Sequence, residues 1–249
     1  MKLDFIARTE LQKAAFENGF RVERPGQDFW LCFASATAPG EVWLSADSSN
    51  GPWHLAVTHV GVSHELAWPG TSSGPGEATM QFPSLTELYG GLERVYRLSI
   101  SLPDMPLVEF NKKTSSLPRS TEIERLVVQR IGQDVFRAAL LDYWGGHCPL
   151  TGISDRALLR ASHIVGWAHC DDDAHRLDVH NGLLLSALWD AAFDAGKVSF
   201  SDAGGILVHP TLSLPDSEHL LRSGRPLLSG LKPQHLLNLA RHRQRYGFN

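Results

Sequence analysis

Apolar and polar positions along this chain change period several times, and each change marks an element. Residues 9–16 read as a short helix, with Thr9 as its N-cap and Gly19 as its stop. Short β-rich runs follow at 20–23, 29–36, 41–46 and 53–59. They are broken by Pro25-Gly26, Pro39-Gly40 and Ser49-Asn50-Gly51-Pro52, a spacing that predicts an antiparallel meander. Residues 69–76 form a Gly/Ser/Pro loop. Helical period returns over 85–98, where Leu88, Leu92, Val95 and Leu98 recur at three- and four-residue steps. A polar stretch closed by Pro118 follows. The expected organisation is an α+β domain over 1–110, a linker over 111–120 and a second domain over 121–249.

In the second domain Thr121 and Glu124 fit a capping box. They open a helix to about Tyr143, with Ile123, Leu126, Val127, Ile131, Phe136 and Leu140 as its apolar stripe. A strand over 158–164 carries His163 near its end, and a long polar loop spans 165–180. Asn181-Gly182 is a tight-turn pair, followed by a strand at 183–185 and a helix at 187–195 stopped by Gly196. A hairpin over 197–200 and 206–208 and a final helix from about Pro233 complete the reading. The fold class is α+β.

Composition narrows the class. Apolar content of 43% and charge of 20% are those of a globular chain able to bury its own core. Cys32, Cys148 and Cys170 form no CxxC pair, so neither a structural zinc nor a disulfide framework is expected. No apolar run approaches the ~20 residues of a membrane span, and Met1-Lys2-Leu3-Asp4 does not open a signal peptide. The expected location is cytoplasmic. Net charge is −4; of 23 basic and 27 acidic residues, 14 of each lie in 116–249. The second half is therefore neutral and residues 1–115 carry the whole −4. Neither half is a basic module with bulk affinity for nucleic acid, so any DNA contact must be local.

The chemistry lies between His163 and Asp194. A histidine at a strand end is a base matched to neutral pH. Asn181 can tie the long loop to the strand through its amide and hold His163 in one orientation. Asp190 and Asp194 share a helix face at i and i+4 and offer oxygen to a hard cation such as Mg²⁺ or Mn²⁺. That order suits one-metal phosphodiester hydrolysis. On the last helix Arg241 and Arg245 share a face suited to gripping phosphate. Asp171-Asp172-Asp173 reads as a solvated loop, Trp144, Trp167 and Trp189 as core, and Arg160 as pointing away from His163.

Ala161-Ser162-His163-Ile164, Asn181-Gly182 and Asp190 to Asp194, with Tyr143 to Gly152 and Arg176-Leu177-Asp178, together resemble the HNH endonucleases, in their prokaryotic restriction-type branch. The resemblance covers about 118–247 and not 1–115. It implies a ββα-metal nuclease domain with flanking helices, acting as a divalent-metal-dependent DNA endonuclease with one Mg²⁺ or Mn²⁺ per site. His163 would be the general base and Asn181 the middle motif residue. Asp190 would be a metal ligand, with Asp194 a further one and Ser162 standing where the family usually has Asp or His. The implied partners are double-stranded DNA and a second copy of the chain, with no membrane. Restriction enzymes that cut modified DNA combine a reader with such a nuclease. By that analogy the aromatic-rich first domain, with Trp30 and Trp43, would stack on an extruded base, a modified cytosine among the candidates. Two alternatives stay open: a non-catalytic HNH-like nucleic-acid-binding protein, and a nuclease toxin with a protein-binding N-terminal domain.

Overall fold

The computed structural model describes residues 3–68, 74–222, 224 and 226–248. It divides into two compact units, Met1–Leu102 and Pro103–Asn249.

In the first unit helix α1 runs over Phe5–Glu17. Its N-cap is Asp4, whose carboxylate accepts from the Ala7 amide at 2.7 Å. Thr9 lies inside the helix instead, and its hydroxyl donates back to the Phe5 carbonyl at 2.8 Å. A threonine can satisfy itself this way within a helix, so it is a weaker start signal than an aspartate with a free amide ahead of it. Gly19, at φ +89°, ends the helix as expected.

The meander is present: β1 (Val22–Gln27), β2 (Trp30–Ala34), β3 (Glu41–Ala46) and β4 (Trp53–Val57) pair antiparallel in sequence order. Helix α2 (Val60–Leu66) and a fifth strand, β5 (Ala78–Phe82), follow. Of the loop read at 69–76, residues 69–73 lie outside the described residues. Helix α3 (Leu85–Ser101) is capped by Ser84 and buries Leu88, Leu92, Val95 and Leu98. One sheet face is core, with Phe33, Val42, Leu44, Leu55 and Val57 sealed from solvent. A side chain at Gly91 of α3 would collide with the Phe82 ring, so that helix seats closely on this face. The opposite face carries Trp30, Cys32, Trp43, Ser45, His54, Ala56 and Thr79, several of them half-buried.

The second unit opens with α4 (Asp104–Thr114), whose last residues are those read as the start of a linker. Helix α5 (Glu122–Tyr143) begins with the expected reciprocal cap. Thr121 Oγ1 accepts from the Glu124 amide at 3.2 Å, and Glu124 Oε2 accepts from the Thr121 amide at 2.9 Å. Its buried face is Val128, Gly132, Val135, Phe136, Ala139, Leu140 and Tyr143. Of the expected stripe, Ile123, Leu126 and Val127 are 75%, 56% and 47% exposed. Burial begins only at Val128, because the strands and Trp167 pack against the later turns: a side chain at Gly132 would meet the Trp167 ring, and one at Gly182 would meet Phe136.

Strands β6 (Leu159–His163) and β7 (Gly182–Ser186) pair antiparallel, with His163 opposite Gly182, and lead into α7 (Ala187–Asp194). The loop between the strands is not featureless. It holds a 3-10 turn (Trp167–His169), helix α6 (Asp173–Leu177) and a second 3-10 turn (Val179–Asn181). Asn181-Gly182 is therefore no hairpin turn. Gly182 is extended at φ −147°, and it is glycine because a Cβ would lie 2.5 Å from the Phe136 ring. Strands β8 (Val198–Phe200) and β9 (Ile206–Val208) form the expected hairpin, followed by α8 (Leu214–Leu220) and α9 (Pro233–Tyr246). Among the described residues no helix is long and apolar enough to cross a membrane.

Candidate functional site

The pleat of β6 sends consecutive side chains to opposite faces. His163 lies against α5, its ring stacked on Phe136 at 3.8 Å and met edge-on by Trp167 at 5.7 Å. Its Nε2 lies 2.9 Å from the Arg176 carbonyl oxygen. A carbonyl can only accept, so Nε2 carries the proton and Nδ1 holds the free lone pair. Burial pushes the imidazole pKa down to about 4, against the opposing pull of the Arg176 carbonyl and, more weakly, the Asp194 charge. The ring is therefore neutral at physiological pH, with one nitrogen free to accept a proton, and burial makes it a weaker base than the near-neutral match expected of an exposed histidine.

Asn181 is fully buried. Its Oδ1 accepts from the Val165 amide at 2.8 Å; its Nδ2 donates to the carbonyls of Val165 at 3.1 Å and His175 at 3.3 Å. One amide thus joins the chain just after His163 to the chain just before Arg176. It holds the His175 carbonyl, one residue before the Arg176 carbonyl to which His163 is bonded, and it presents no surface to a substrate. Arg176 adds to the clamp, donating to the Trp167 carbonyl at 3.1 Å and to Asp173 at 2.7 Å while lying over the Trp167 ring. The three consecutive aspartates are spread over separate tasks. Asp172 caps α6, Asp173 pairs with Arg176, and Asp171 lies 3.7 Å from Arg241.

On the other face of β6, Ser162 and Arg160 turn toward α7. Asp190 is half-buried. Burial raises its carboxyl pKa and the Asp194 charge one turn away raises it further, while the Ser162 hydroxyl and the Arg160 charge pull it down. Ser162 Oγ is buried and closes no hydrogen bond, although it is near enough to Asp190 to favour the charged carboxylate. Asp194 is exposed and lines a cavity of about 200 Å³ together with His163, Trp167, His169, His242 and Arg245. Arg241 and Arg245 border a second cavity of about 270 Å³ that shares Ile164, His169 and His242 with the first. The structure so brings His163, Asp194 and Arg245 to one cavity and Arg241 to its neighbour, whereas Ser162, on the opposite face of β6, and Asp190 line neither.

Among the described residues no three His, Cys, Asp or Glu side chains are gathered as a ready cation cage. A cation nonetheless suits what is there. Asp190 and Asp194 repel one another, and Ser162 offers an unpartnered buried oxygen beside Asp190. Mg²⁺ or Mn²⁺ takes one or two carboxylates and completes its shell with water and phosphate oxygens. Cys32, Cys148 and Cys170 are all free and buried.

Sequence reasoning missed how α9 is fastened. Asn238 Nδ2 donates to the His180 carbonyl at 3.0 Å, His242 Nε2 to that of Phe193 at 3.1 Å, and Tyr246 Oη to that of Asp194 at 2.9 Å. The four-residue spacing of 238, 242 and 246 was the available signal, since it puts three polar side chains on one helix face. Trp30 and Trp43 belong to the first unit. Trp30 is buried against Phe29 and His54, so it offers no open face for stacking, and Trp43 is half-buried.

Compared with known families, residues 148–201 match the family described as HNH endonuclease. The matched segment contains β6, the clamped loop, β7 and α7. No curated protein matches the chain.

Proposed function

We propose that this chain, which carries an HNH endonuclease domain at residues 148–201, is a divalent-metal-dependent DNA endonuclease that hydrolyses phosphodiester bonds. The observation that carries this reading is the single unprotonated nitrogen of His163, whose ring lines a cavity with Asp194 and Arg245, beside a second cavity lined by Arg241 and Arg245. His163 Nδ1 takes the proton from the attacking water. Asn181 is a positioning residue that holds the loop on which His163 is oriented. Asp190, Asp194 and Ser162 would hold one Mg²⁺ or Mn²⁺. When bound, such an ion stabilises the charge that builds up on the phosphate and the departing oxygen. Arg241 and Arg245 grip the backbone phosphates of double-stranded DNA.

The finer reading is of a restriction-type enzyme whose first unit selects DNA, including cytosine-modified DNA. A second copy would supply the cut on the opposite strand, and the exposed Ile123, Leu126 and Val127 of α5 give it an apolar surface to meet. The purified chain is expected to nick supercoiled plasmid with Mn²⁺ or Mg²⁺ and to stop when the metal is chelated. Asp190→Ala should weaken Mn²⁺ binding measured by calorimetry at least ten-fold; unchanged affinity would remove Asp190 from the metal site. A non-catalytic, DNA-binding reading is favoured by one observation, the Ser162 hydroxyl where a stronger ligand is usual. Binding of plasmid without nicking under any divalent metal would select it.

A further inference from the structure

Phosphodiester hydrolysis moves two protons. One leaves the attacking water, and one must reach the departing sugar oxygen, which leaves poorly as a bare alkoxide. The reading above gives the first to His163 Nδ1 and assigns no side chain to the second. In-line displacement sets the water and the departing oxygen on opposite sides of phosphorus, so two different groups must serve them.

His169 is placed for the second task. His163 borders only the cavity of about 200 Å³, whereas His169 borders that cavity and also the neighbouring one of about 270 Å³ that Arg241 and Arg245 line. His169 ends the 3-10 turn after β6, and its side chain is exposed. The backbone beneath it is fastened. Its amide donates to the Gly166 carbonyl at 2.7 Å, and the Arg176 guanidinium donates to the carbonyls of Trp167 at 3.1 Å and Cys170 at 3.4 Å. Among the described residues its ring closes no hydrogen bond and no ion pair. The other proton carriers of the two cavities are committed. His242 Nε2 donates to the Phe193 carbonyl at 3.1 Å, and its Nδ1 lies 3.0 Å from Ser199 Oγ. Tyr246 Oη donates to the Asp194 carbonyl at 2.9 Å, and the one proton of His163 lies on the Arg176 carbonyl. Arginine holds its proton too tightly to act as an acid.

We propose that His169 is the general acid of the reaction and gives its ring proton to the departing sugar oxygen. The inference rests on the reading of the chain as a DNA nuclease. The water oxygen bonds to phosphorus and loses a proton to His163 Nδ1. The bond from phosphorus to the sugar oxygen breaks, its electron pair stays on that oxygen, and the His169 proton turns it into a hydroxyl. His163 ends protonated and His169 neutral, and exchange with solvent restores both. The charged groups that share the cavities with His169 are Asp194, Arg241 and Arg245, beside the neutral rings of His163 and His242.

The test compares Mn²⁺-dependent plasmid nicking by the full chain with that of His169→Ala and His169→Arg. Both variants should nick about 10²- to 10⁴-fold more slowly, while His169→Ala keeps the wild-type melting temperature and the wild-type affinity for duplex, read by fluorescence anisotropy in EDTA. The arginine keeps a cation but cannot donate its proton. Wild-type nicking by His169→Arg would make His169 a phosphate contact and overturn the proposal, and wild-type nicking by His169→Ala would overturn it too. A second substrate, bis(p-nitrophenyl) phosphate, releases a nitrophenolate that needs no proton. His169→Ala should hydrolyse it as fast as the wild type; an equal loss on plasmid and ester overturns the assignment. His169→Arg decides alone if the wild type does not take the ester. Normal nicking by His163→Ala beside slow nicking by His169→Ala sinks the base and spares the acid. A wild type that nicks no plasmid sinks the nuclease reading, and this acid with it.

Discussion

At the residue scale, the arrangement around His163 depends on backbone groups more than on other side chains. Its orientation comes from the Arg176 carbonyl, and the carbonyl of the preceding residue, His175, is held by the buried Asn181 amide. Asn181→Ala removes the side-chain partner of the Val165 amide and leaves two carbonyls short of a donor. It should lower unfolding stability by about 3 kcal/mol in denaturant titration, and it should lower kcat in whatever fraction remains folded. A change below ~1 kcal/mol would show that the loop holds without the clamp. His163, Asn181 and Asp190 could be proposed from the chain because their order and spacing are written in side chains. The Arg176 carbonyl was not, since every residue carries a carbonyl and only the fold says which one is used. His242 gives a separate expectation. Burial lowers its pKa from 6.5 to about 4, outweighing the Phe193 carbonyl and Asp194, while Arg245 and Arg243 push the same way as burial. The fold therefore favours the neutral ring. Its stabilising contribution is complete above pH ~6.5 and is lost as pH falls toward ~4, about 3 kcal/mol in all. His242→Gln should flatten the dependence of stability on pH across that window; an unchanged slope would mean that other groups set it.

At the element scale, α9 links both edges of the cleft. It presents Arg241 and Arg245 to the cavities and bonds to the carbonyl ends of the second 3-10 turn and α7. Tyr246→Phe removes the bond to the Asp194 carbonyl without touching the arginines. If that bond sets the Asp194 carboxylate, Mn²⁺ affinity and kcat should fall about three- to ten-fold while KM for DNA stays the same. A rise in KM alone would assign Tyr246 to DNA contact. Strongly periodic elements such as α3 and α5, and the strands set off by Gly and Pro, were readable along the chain. Helix α4, which has no side-chain cap and buries Pro106, Phe110 and Thr114, ran on into the polar stretch read as a linker, and α6 hid inside a run rich in aspartate and histidine because it rests on the Asp172 cap and the Asp173–Arg176 pair rather than an apolar stripe. The α5 stripe misled for the opposite reason. Apolar period marks a face that favours burial, and only the packing partners decide where burial starts, here at Val128.

At the scale of the whole molecule, charge is divided unevenly between the two compact units. The HNH segment lies wholly in the second unit, while the first is an acidic meander with a half-polar sheet face. No overall basic charge draws the protein to DNA, so binding must come from a few placed groups and fall steeply with their loss. Everything in the nuclease reading converges on one nitrogen. The direct measurement is the rate of plasmid nicking under Mn²⁺ by the wild type and by His163→Ala, each first shown to be folded and to bind the metal alike. A loss of about 10²- to 10⁴-fold in the variant is the predicted result. Equal rates would contradict the account, because the proton would then be leaving the attacking water by another route.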